Sequence, residues 1–428
     1  MIVDIAKQCR EASRITSALD GQKKNNALKM VGKALRENAE AVIEANSRDL
    51  KKAREEGLRD VLYKRLKFDS VKLSESVEGI ESLIRLPDPV GIVEVETELD
   101  EGLILRRISC PIGVLGIVFE SRPDALVQIS CLALKSGNAV LLKGGAEAMG
   151  TNRILADIIS RASVSAGIPE GWMGLLQTRD EVTEMLSLHD IIDLVIPRGS
   201  NEFVQYIMKN TKIPVLGHAD GICHVYVDSK ADKNMAAAIV FDSKCQYPSV
   251  CNAMETLLLH HDTAGEILPM IKDRFDAAGV EIRGDKEVRN YVDCQPADET
   301  DWHTEYNDLI VSIKMVKDLD EAIDHINQYG SHHTDAIVTD ERKTAERFMD
   351  LVDSANVFWN CSTRFSDGFR YGLGAEVGIS TNKIHARGPV GLEGLTIYKW
   401  TLEGNGHIVA DYTGSGSCKF KHRKIRNA

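Results

Sequence analysis

The spacing of hydrophobic residues separates a helical amino-terminal region from a longer region of alternating strands and helices. Over residues 1 to about 85, apolar residues recur at helical spacing, as in Leu28, Val31 and Leu35, with Lys, Arg and Glu between them. Asp20 stands before this run and is a suitable N-cap. The pattern predicts amphipathic helices.

Short continuous apolar runs replace the helical spacing after residue 110. They predict buried strands at Ile112–Phe119, Ala139–Leu142, Met173–Leu176 and Ile191–Ile196. Helices are predicted between them at Ser121–Ala133, 149–165 and 180–187. Strands that alternate with helices at this spacing indicate βαβ units and a parallel sheet with both faces covered.

A second α/β region follows residue 230. The pattern predicts a helix at Ala231–Phe241, a strand at Glu255–Leu259, and helices at Ala264–Ala278 and Asp320–Tyr329. The chain therefore contains two α/β domains in series, with a boundary near 220–235. Residues 93–107 alternate charged and apolar positions, which predicts an antiparallel hairpin, exposed unless another subunit covers it.

Charge excludes one class of function and hydropathy another. The 428 residues include 52 basic and 64 acidic ones, a net charge of −12, which argues against nucleic-acid binding. No apolar run approaches the roughly 18 residues that span a bilayer, and the amino terminus lacks a signal sequence, so we expect a cytoplasmic protein with no membrane partner. The basic tail 419–426 is either a contact for an anion or partner, or a solvated terminus.

The cysteines and histidines do not predict a metal site. Nine cysteines are present without a Cys-x-x-Cys pair, which argues against both a disulfide framework and a zinc knuckle. His332 and His333 follow a helix that carries His325, but no third ligand has a recognisable spacing. We expect reduced thiols and no bound metal.

One cysteine lies in a position suited to nucleophilic catalysis. Cys251 follows a predicted helix and precedes a predicted strand, with Asn252 next in the chain. Such a loop cysteine can attack a carbonyl while the backbone N–H groups beside it hold the oxyanion. Cys245 is the local competitor, and a buried structural thiol is the alternative for either residue.

Two loops at strand ends could hold the phosphates of a nucleotide. No G-x-G-x-x-G follows any predicted strand. Lys143 and Gly144 end one strand, however, and Arg198, Gly199 and Ser200 end another just before a predicted helix. Each loop could also be a simple turn.

A glycine-rich stretch, residues 362–391, carries several cations. Its basic residues are Arg364, Arg370, Lys383, His385 and Arg387. They could hold a phosphate or a carboxylate, since loops of this length are usually functional. The alternative is an ordered surface loop with solvated charges.

Four blocks of sequence, in order, carry a family resemblance. They are Ser249–Thr256 around Cys251, Val316–Ile337 with its His325 and His333, Gly372–Thr381, and Ile384–Thr396. The whole chain resembles the γ-glutamyl phosphate reductase family of the aldehyde dehydrogenase superfamily. The resemblance implies an α/β, aldehyde-dehydrogenase-like fold with two parallel-sheet domains and a small β oligomerisation arm.

The resemblance also implies domain limits and an assembly. Residues 1–225 would form the NADP-binding domain, with 93–107 as the hairpin of the arm. Residues 226–395 would form the catalytic domain, and 396–428 would return to the cofactor domain and the arm. A homo-oligomer, dimer or higher, is expected.

The implied reaction is the NADPH-dependent reduction of L-glutamyl 5-phosphate to L-glutamate 5-semialdehyde and phosphate, through a cysteine thioester, in proline biosynthesis. Cys251 and Asn252 would be catalytic. Lys143 matches the superfamily lysine that contacts the adenosine ribose, with Gly144, Arg198, Gly199 and Ser200 also on the cofactor. The expected contacts to the small-molecule substrate are Ser121, Arg122, His333, Lys383 and Arg387.

Departures from the superfamily pattern favour this reaction over its rivals. The block that carries the Glu general base of hydrolytic members is here Val215–Gly221, without that Glu. An enzyme whose thioester must react with hydride or phosphate benefits from the lack of a base that activates water. The missing Glu therefore disfavours the alternative function, an NAD(P)-dependent aldehyde dehydrogenase acting on another small aldehyde. The ribose-binding acid of NAD-preferring members falls near Ala146, which leaves room for a 2′-phosphate, and the oxyanion Asn is replaced around 120–123. The intact loop blocks disfavour a non-catalytic scaffold.

Overall fold

The computed structural model describes residues 2–217 and 220–426. Its helices are α1 (Ile2–Thr16), α2 (Gly21–Glu37), α3 (Ala39–Glu55), α4 (Asp60–Leu66), α5 (Ser70–Arg85), α6 (Pro123–Lys135), α7 (Met149–Ser165), α8 (Arg179–Met185), α9 (Asn201–Lys209), α10 (Lys233–Cys245), α11 (His261–Ala278), α12 (Leu319–Tyr329) and α13 (Arg342–Leu351). Its strands are β1 (Val93–Asp100), β2 (Leu103–Pro111), β3 (Val114–Phe119), β4 (Ala139–Lys143), β5 (Met173–Leu176), β6 (Leu194–Arg198), β7 (Cys223–Val227), β8 (Met254–His260), β9 (Glu281–Gly284), β10 (Gln295–Pro296), β11 (Ile310–Val316), β12 (Thr334–Val338), β13 (Asn356–Trp359), β14 (Gly378–Ser380), β15 (Gly388–Val390), β16 (Thr396–Glu403) and β17 (Arg423–Arg426).

The first sheet is parallel, in the order β5-β4-β3-β6. Alternate side chains of its strands enter two different cores, as the pleat requires. Leu115 and Ile117 of β3 pack with α2, α5, α6 and α7, whereas Val114 and Val118 pack with α1 and α8. Because helices cover both faces, only the strand ends remain to form a site, and the predicted βαβ region is confirmed.

The second sheet is also parallel and has the order β10-β9-β11-β8-β7-β12-β13. Helices α10 and α11 pack on one face, and α12 and α13 on the other. Helix α10 begins at a side-chain cap, in which Asp232 accepts a hydrogen bond from the Met235 N–H. Together, the two parallel sheets confirm the predicted fold class.

A third sheet is antiparallel, in the order β16-β2-β1-β17. It contains the predicted hairpin, whose strands pair from Val93 with Ile108 to Asp100 with Leu103. The end of the basic tail forms a strand whose side chains stay exposed, and Arg423 pairs with Glu98 at 2.6 Å across the β1–β17 ladder.

The predicted domain limits need two corrections. A boundary after residue 225 would divide β7, whose five buried residues all belong to the second sheet. The apolar residues of the segment 377–395 pack with the first domain: Val377, Val390 and Leu395 are buried in the core of the first sheet. Apolar burial against that core, together with a 2.8 Å hydrogen bond from Asn138 to the Leu395 carbonyl, holds this segment there.

No helix within residues 2–217 and 220–426 has the length and hydropathy needed to cross a membrane.

Candidate active site

The carboxyl ends of the strands in the first sheet face the amino ends of the strands in the second sheet. The carboxyl ends of β3, β4 and β6 lead to Ser121, Lys143 and Arg198, and the amino end of β8 follows Cys251. Asn201, the first residue of α9, joins the sides, because its amide donates to Asp220 (2.7 Å) and to Glu305 (2.8 Å). The predicted cofactor loops and the predicted nucleophile thus border one junction.

The Cys251 loop is held in place by its backbone. The Cys223 thiol donates to the Cys251 carbonyl oxygen at 3.2 Å. Gly221 passes so close that a methyl group there would collide with this carbonyl and lie 2.6 Å from both the Cys251 Cα and a Glu305 carboxylate oxygen. A side chain at position 221 would therefore displace the nucleophile. Glu305 lies outside the four blocks, and the sequence pattern did not indicate it.

The backbone amides at the nucleophile are available. Within residues 2–217 and 220–426, no acceptor engages the N–H groups of Cys251 and Asn252. The Asn252 side chain is buried and donates to the Ser366 carbonyl at 2.6 Å. Asn252 therefore has two separable roles: its side chain fixes the loop, and its N–H can stabilise an oxyanion.

The other thiols near Cys251 are poor nucleophiles. Burial raises the pKa of Cys245 to about 11, with Lys244 opposing the rise. Cys223, Cys9 and Cys131 are buried, as predicted, and burial raises the pKa of each. A thiol reacts as its thiolate, so these cysteines are largely unreactive at neutral pH.

A buried ion pair flanks the nucleophile loop on both sides of Cys251. Lys244, in the last turn of α10, contacts Glu255 of β8 at 2.6 Å, and both side chains are fully buried. Burial raises the pKa of Glu255 to about 8, against the effect of Lys244. Breaking such a pair leaves one partner buried and uncompensated, so it ties the two ends of the loop together.

The end of β4 is built for the close approach of a ligand. Lys143 is buried, and none of the described side chains forms a hydrogen bond or ion pair with its ammonium. Burial lowers the pKa of Lys143, and Glu147 opposes this shift. A Cβ at Gly144 would meet the Asn152 amide and one at Gly145 the Glu147 carboxylate, so a larger residue at either position would require those side chains to move.

The end of β6 combines exposed backbone with a buried cation. Gly199 and Ser200 are exposed, and the Ser200 N–H donates to Glu120 at 3.2 Å. The Arg198 guanidinium points elsewhere: its Nη1 is buried and has no hydrogen-bond partner among the described residues. Burial, reinforced by Arg122, lowers the pKa of Arg198 to about 10.

Arg364 of the glycine-rich stretch also belongs to this junction. It is buried, and its Nε donates to Gln246 at 2.9 Å. Burial and then Arg370 lower its pKa, while the Cys251 thiol acts in the opposite direction. The Arg364 guanidinium therefore lies within electrostatic reach of the nucleophile.

A cavity of about 260 Å³ opens beside Arg122, between α5, α6 and the loop before β14. Its lining carries both signs of charge, from Lys72, Glu75, Arg122 and Asp124. Arg122 contacts Asp124 at 3.1 Å and is partly exposed. Lys72 likewise contacts Glu75 at 2.9 Å, so the charges of the lining are paired with one another.

Four of the predicted substrate residues are engaged by the protein. Lys383 and Arg387 both contact Asp353, at 2.6 and 3.1 Å. Ser121 donates its N–H and its hydroxyl to Glu147. His333 is fully buried, with its Nδ1 2.8 Å from the Thr334 hydroxyl and 3.7 Å from the Cys223 sulfur.

These contacts describe the residues without a ligand, and the expected substrate roles stay predictions. Asp353 already pairs with both Lys383 and Arg387, although one carboxylate balances only one of their two positive charges, and the Ser121 hydroxyl donates to a carboxylate. His333 lies beneath the nucleophile loop, in contact with the residue that holds the Cys251 carbonyl, and has no exposed surface. The sequence identifies such cations but not the distant carboxylate that pairs with them.

One histidine cluster has metal-ligand proximity. The ligand atoms of His260, His261 and Asp262 lie within 4.8 Å of one another, at the end of β8 opposite to Cys251. The His260 Nδ1 already accepts the Asp262 N–H as the N-cap of α11. The cluster therefore caps a helix and lies apart from the junction.

Comparison with known proteins agrees with this geometry. A sequence model described as the aldehyde dehydrogenase family matches residues 2–290. γ-Glutamyl phosphate reductase of Acetivibrio thermocellus is 58% identical over 424 residues, which cover 99% of this chain and 98% of that relative. The enzyme of the same name from Pelotomaculum thermopropionicum is 58% identical over 422 residues, covering 99% and 97%.

A solved structure gives the same result. The crystal structure of γ-glutamyl phosphate reductase from Thermotoga maritima superposes with a TM-score of 0.93 at 41% identity, covering 95% of this chain and 99% of that one. The match includes both parallel sheets and the arm, since it extends over nearly the whole length. The chain belongs to the aldehyde dehydrogenase family and, within it, to the γ-glutamyl phosphate reductases.

Proposed function

We propose that this chain reduces L-glutamyl 5-phosphate to L-glutamate 5-semialdehyde and phosphate, a step of proline biosynthesis. One observation carries the proposal: a partly exposed Cys251 beside two available amides, in a chain that matches γ-glutamyl phosphate reductases over 99% of its length. The cavity beside Arg122, with charges of both signs, suits the amino-acid end of this substrate.

Nicotinamide cofactors are the rule in this family, and NADPH is the form we propose. The residues fit a nucleotide: the Lys143 ammonium has no described partner, and Gly144 and Gly199 open the backbone at two strand ends. Position 146 is Ala, so no carboxylate there would oppose a 2′-phosphate. Bound NADPH supplies the hydride.

The protein residues perform the acyl transfer. The Cys251 thiolate attacks the acyl carbon, so that a C–S bond forms as the C–O bond to phosphate breaks. The N–H groups of Cys251 and Asn252 hold the oxyanion before and after reduction. When the reduced intermediate collapses, the C–S bond breaks and the thiolate is restored.

Water must be kept from the thioester. The stretch 215–221 lacks the Glu that activates water in hydrolytic relatives; His218 and Ala219 within it lie outside the described residues. The Glu305 carboxylate, which lies against Gly221, accepts a hydrogen bond from Asn201. The absence of a committed base favours transfer to hydride or phosphate over hydrolysis.

We also propose a homo-oligomer built through the antiparallel arm. Strand β16 leaves large apolar side chains exposed: Tyr398 by 46%, Trp400 by 53% and Leu402 by 58%. Contiguous exposed apolar surface of this kind marks an interface. A second copy of the chain is the proposed partner, as the exposed hairpin predicted.

The test is the reverse reaction. Glutamate 5-semialdehyde should sustain the reduction of NADP beyond a single turnover only when phosphate is present, and NAD should serve less well. Steady-state turnover without phosphate would indicate an aldehyde dehydrogenase for which water is the acceptor. Phosphate-dependent turnover that prefers NAD would keep the reaction and overturn the cofactor assignment.

A further inference from the structure

Arg198 is a cation without a protein counter-ion at the centre of the junction. It ends β6, and no carboxylate within residues 2–217 and 220–426 lies at ion-pair distance from its guanidinium. Its Nη1 is buried and has no hydrogen-bond partner. A buried charged donor without an acceptor destabilises the fold, so its retention points to a ligand.

The surroundings of Arg198 make the missing partner an anion. Arg122 lies near enough to act on it as a like charge, and Arg364 also lies within electrostatic reach of Cys251. Glu376 and Asp124 act on Arg198 with opposite sign, but among the described residues neither lies at ion-pair distance from its guanidinium. Clustered guanidinium groups repel one another until an anion lies among them.

A chain of contacts places this anion site beside the nucleophile. The Gly378 α-carbon, at the start of β14, lies against Arg198, since a Cβ there would be 4.0 Å from the Arg198 Nε. The same loop holds Glu376 on Gly368, and the nearby Ser366 carbonyl accepts the Asn252 amide at 2.6 Å. The loop 366–378 therefore runs from Arg198 to the residue after Cys251.

The site is distinct from the predicted ribose contact. Lys143 ends β4, and Arg198 ends β6, with β3 between them. Two strand spacings amount to roughly 10 Å. An anion at Arg198 thus lies on the Cys251 side of the sheet edge, away from the adenosine end of a nucleotide at Lys143.

On the basis of the proposed function, we infer that Arg198 binds the substrate's phosphoryl group and assists its departure. This role differs from the cofactor contact that the sequence predicts for Arg198 from its place at the end of a strand. In the forward direction, the C–O bond breaks as the thioester forms, and the electron pair leaves on phosphate, where the guanidinium receives it through hydrogen bonds. In the reverse direction, Arg198 holds inorganic phosphate while a phosphate oxygen attacks the thioester carbon. The C–S bond then breaks, and its electron pair returns to the Cys251 sulfur.

The experiment separates the two halves of the reverse reaction. Without phosphate, enzyme, semialdehyde and NADP should yield one burst of NADPH per site, because the acyl group remains on Cys251. We expect Arg198→Gln to keep the size of this burst and its dependence on semialdehyde and NADP. In steady state, the same variant should raise the KM for phosphate about ten-fold or more, as expected for loss of a charge-assisted contact.

Any of three other results for Arg198→Gln would contradict the inference. An unchanged phosphate KM would remove Arg198 from the phosphate site. A burst that needs more NADP would assign it to the cofactor, and one that needs more semialdehyde would assign it to the substrate carboxylate. Wild-type enzyme without phosphate-dependent turnover would instead contradict the proposed function.

Two controls guard against misfolding. Arg198→Lys keeps the charge but not the planar fork, and should give a smaller increase in phosphate KM than Arg198→Gln. Arg347→Gln removes an arginine of α13 whose exposed ion pair with Asp320 lies outside the junction, and should leave the phosphate KM unchanged. Melting curves of all three variants should show folded protein at the assay temperature.

Discussion

Two sets of cations border the active site, and they differ in whether a carboxylate of the protein pairs with them. Lys383 and Arg387 of the glycine-rich stretch share the carboxylate of Asp353. Arg198 has no ion-pair partner among the residues described, although its Nη1 is buried. The first set is tied to a carboxylate of the protein, and we propose that the second is kept for a ligand.

The difference shows that a charged side chain indicates a ligand site only once its ion-pair partners within the protein are known. A partly exposed ion pair such as Arg387–Asp353 contributes about 0–1 kcal/mol, so it fixes a loop at little cost. An unneutralised buried cation destabilises the fold and persists where function requires it. The two sets should therefore respond in opposite ways to substitution.

The largest expected effect comes from removal of the Cys251 thiol. Cys251→Ala should abolish turnover and leave NADPH binding intact, since the covalent step has no substitute. Cys245→Ala, the matched control, should keep most activity because burial holds that thiol in its protonated form. Steady-state rates and a fluorescence titration with NADPH provide the measurements. An inactive Cys245→Ala beside an active Cys251→Ala would reverse the assignment.

The next effect is on stability. Lys244→Met breaks a fully buried ion pair with Glu255 and should lower the free energy of unfolding by about 3–5 kcal/mol. Arg198→Gln should not lower it, because that cation has no protein partner to lose. Urea unfolding of both variants measures the contrast. Equal destabilisation by the two substitutions would contradict the distinction between cations that have an ion-pair partner in the protein and cations that lack one.

The smallest effect concerns the set that pairs with Asp353. Arg387→Lys loses the fork that reaches Asp353 and the Thr381 carbonyl, and should cost at most about 1 kcal/mol of stability. Activity per folded molecule and the phosphate KM should be unchanged. Phosphate titration beside a melting curve checks both. A raised phosphate KM at unchanged stability would return Arg387 to the substrate site.

The sequence predicts the first sheet better than the second. Continuous apolar runs locate β3, β4 and β5 to within two residues, because a strand buried on both faces has no polar interruptions. In the second sheet the pattern predicts β8 but not β7, β11 or β12, which interrupt their apolar runs with buried polar residues such as His224, Ser312 and Asp335.

The site divides in the same way. Cys251 and Lys143 can be found because each follows a recognisable local pattern, a loop before a strand or the end of a strand. Asp353 and Glu305 cannot, because each acts across the fold on residues 34 and 104 positions away. Pairing over such separations depends on tertiary contacts and leaves no local pattern in the sequence.

The central claim is that the acyl group resides on Cys251 and passes to a phosphate held by unneutralised cations. The most direct test is to quench enzyme mixed with glutamate 5-semialdehyde and NADP, and to map the acylated peptide by mass spectrometry. Without phosphate, a glutamyl group should accumulate on Cys251; with phosphate, it should disappear as NADPH continues to form. No acylation, acylation of another cysteine, or an adduct that phosphate fails to remove would contradict the account.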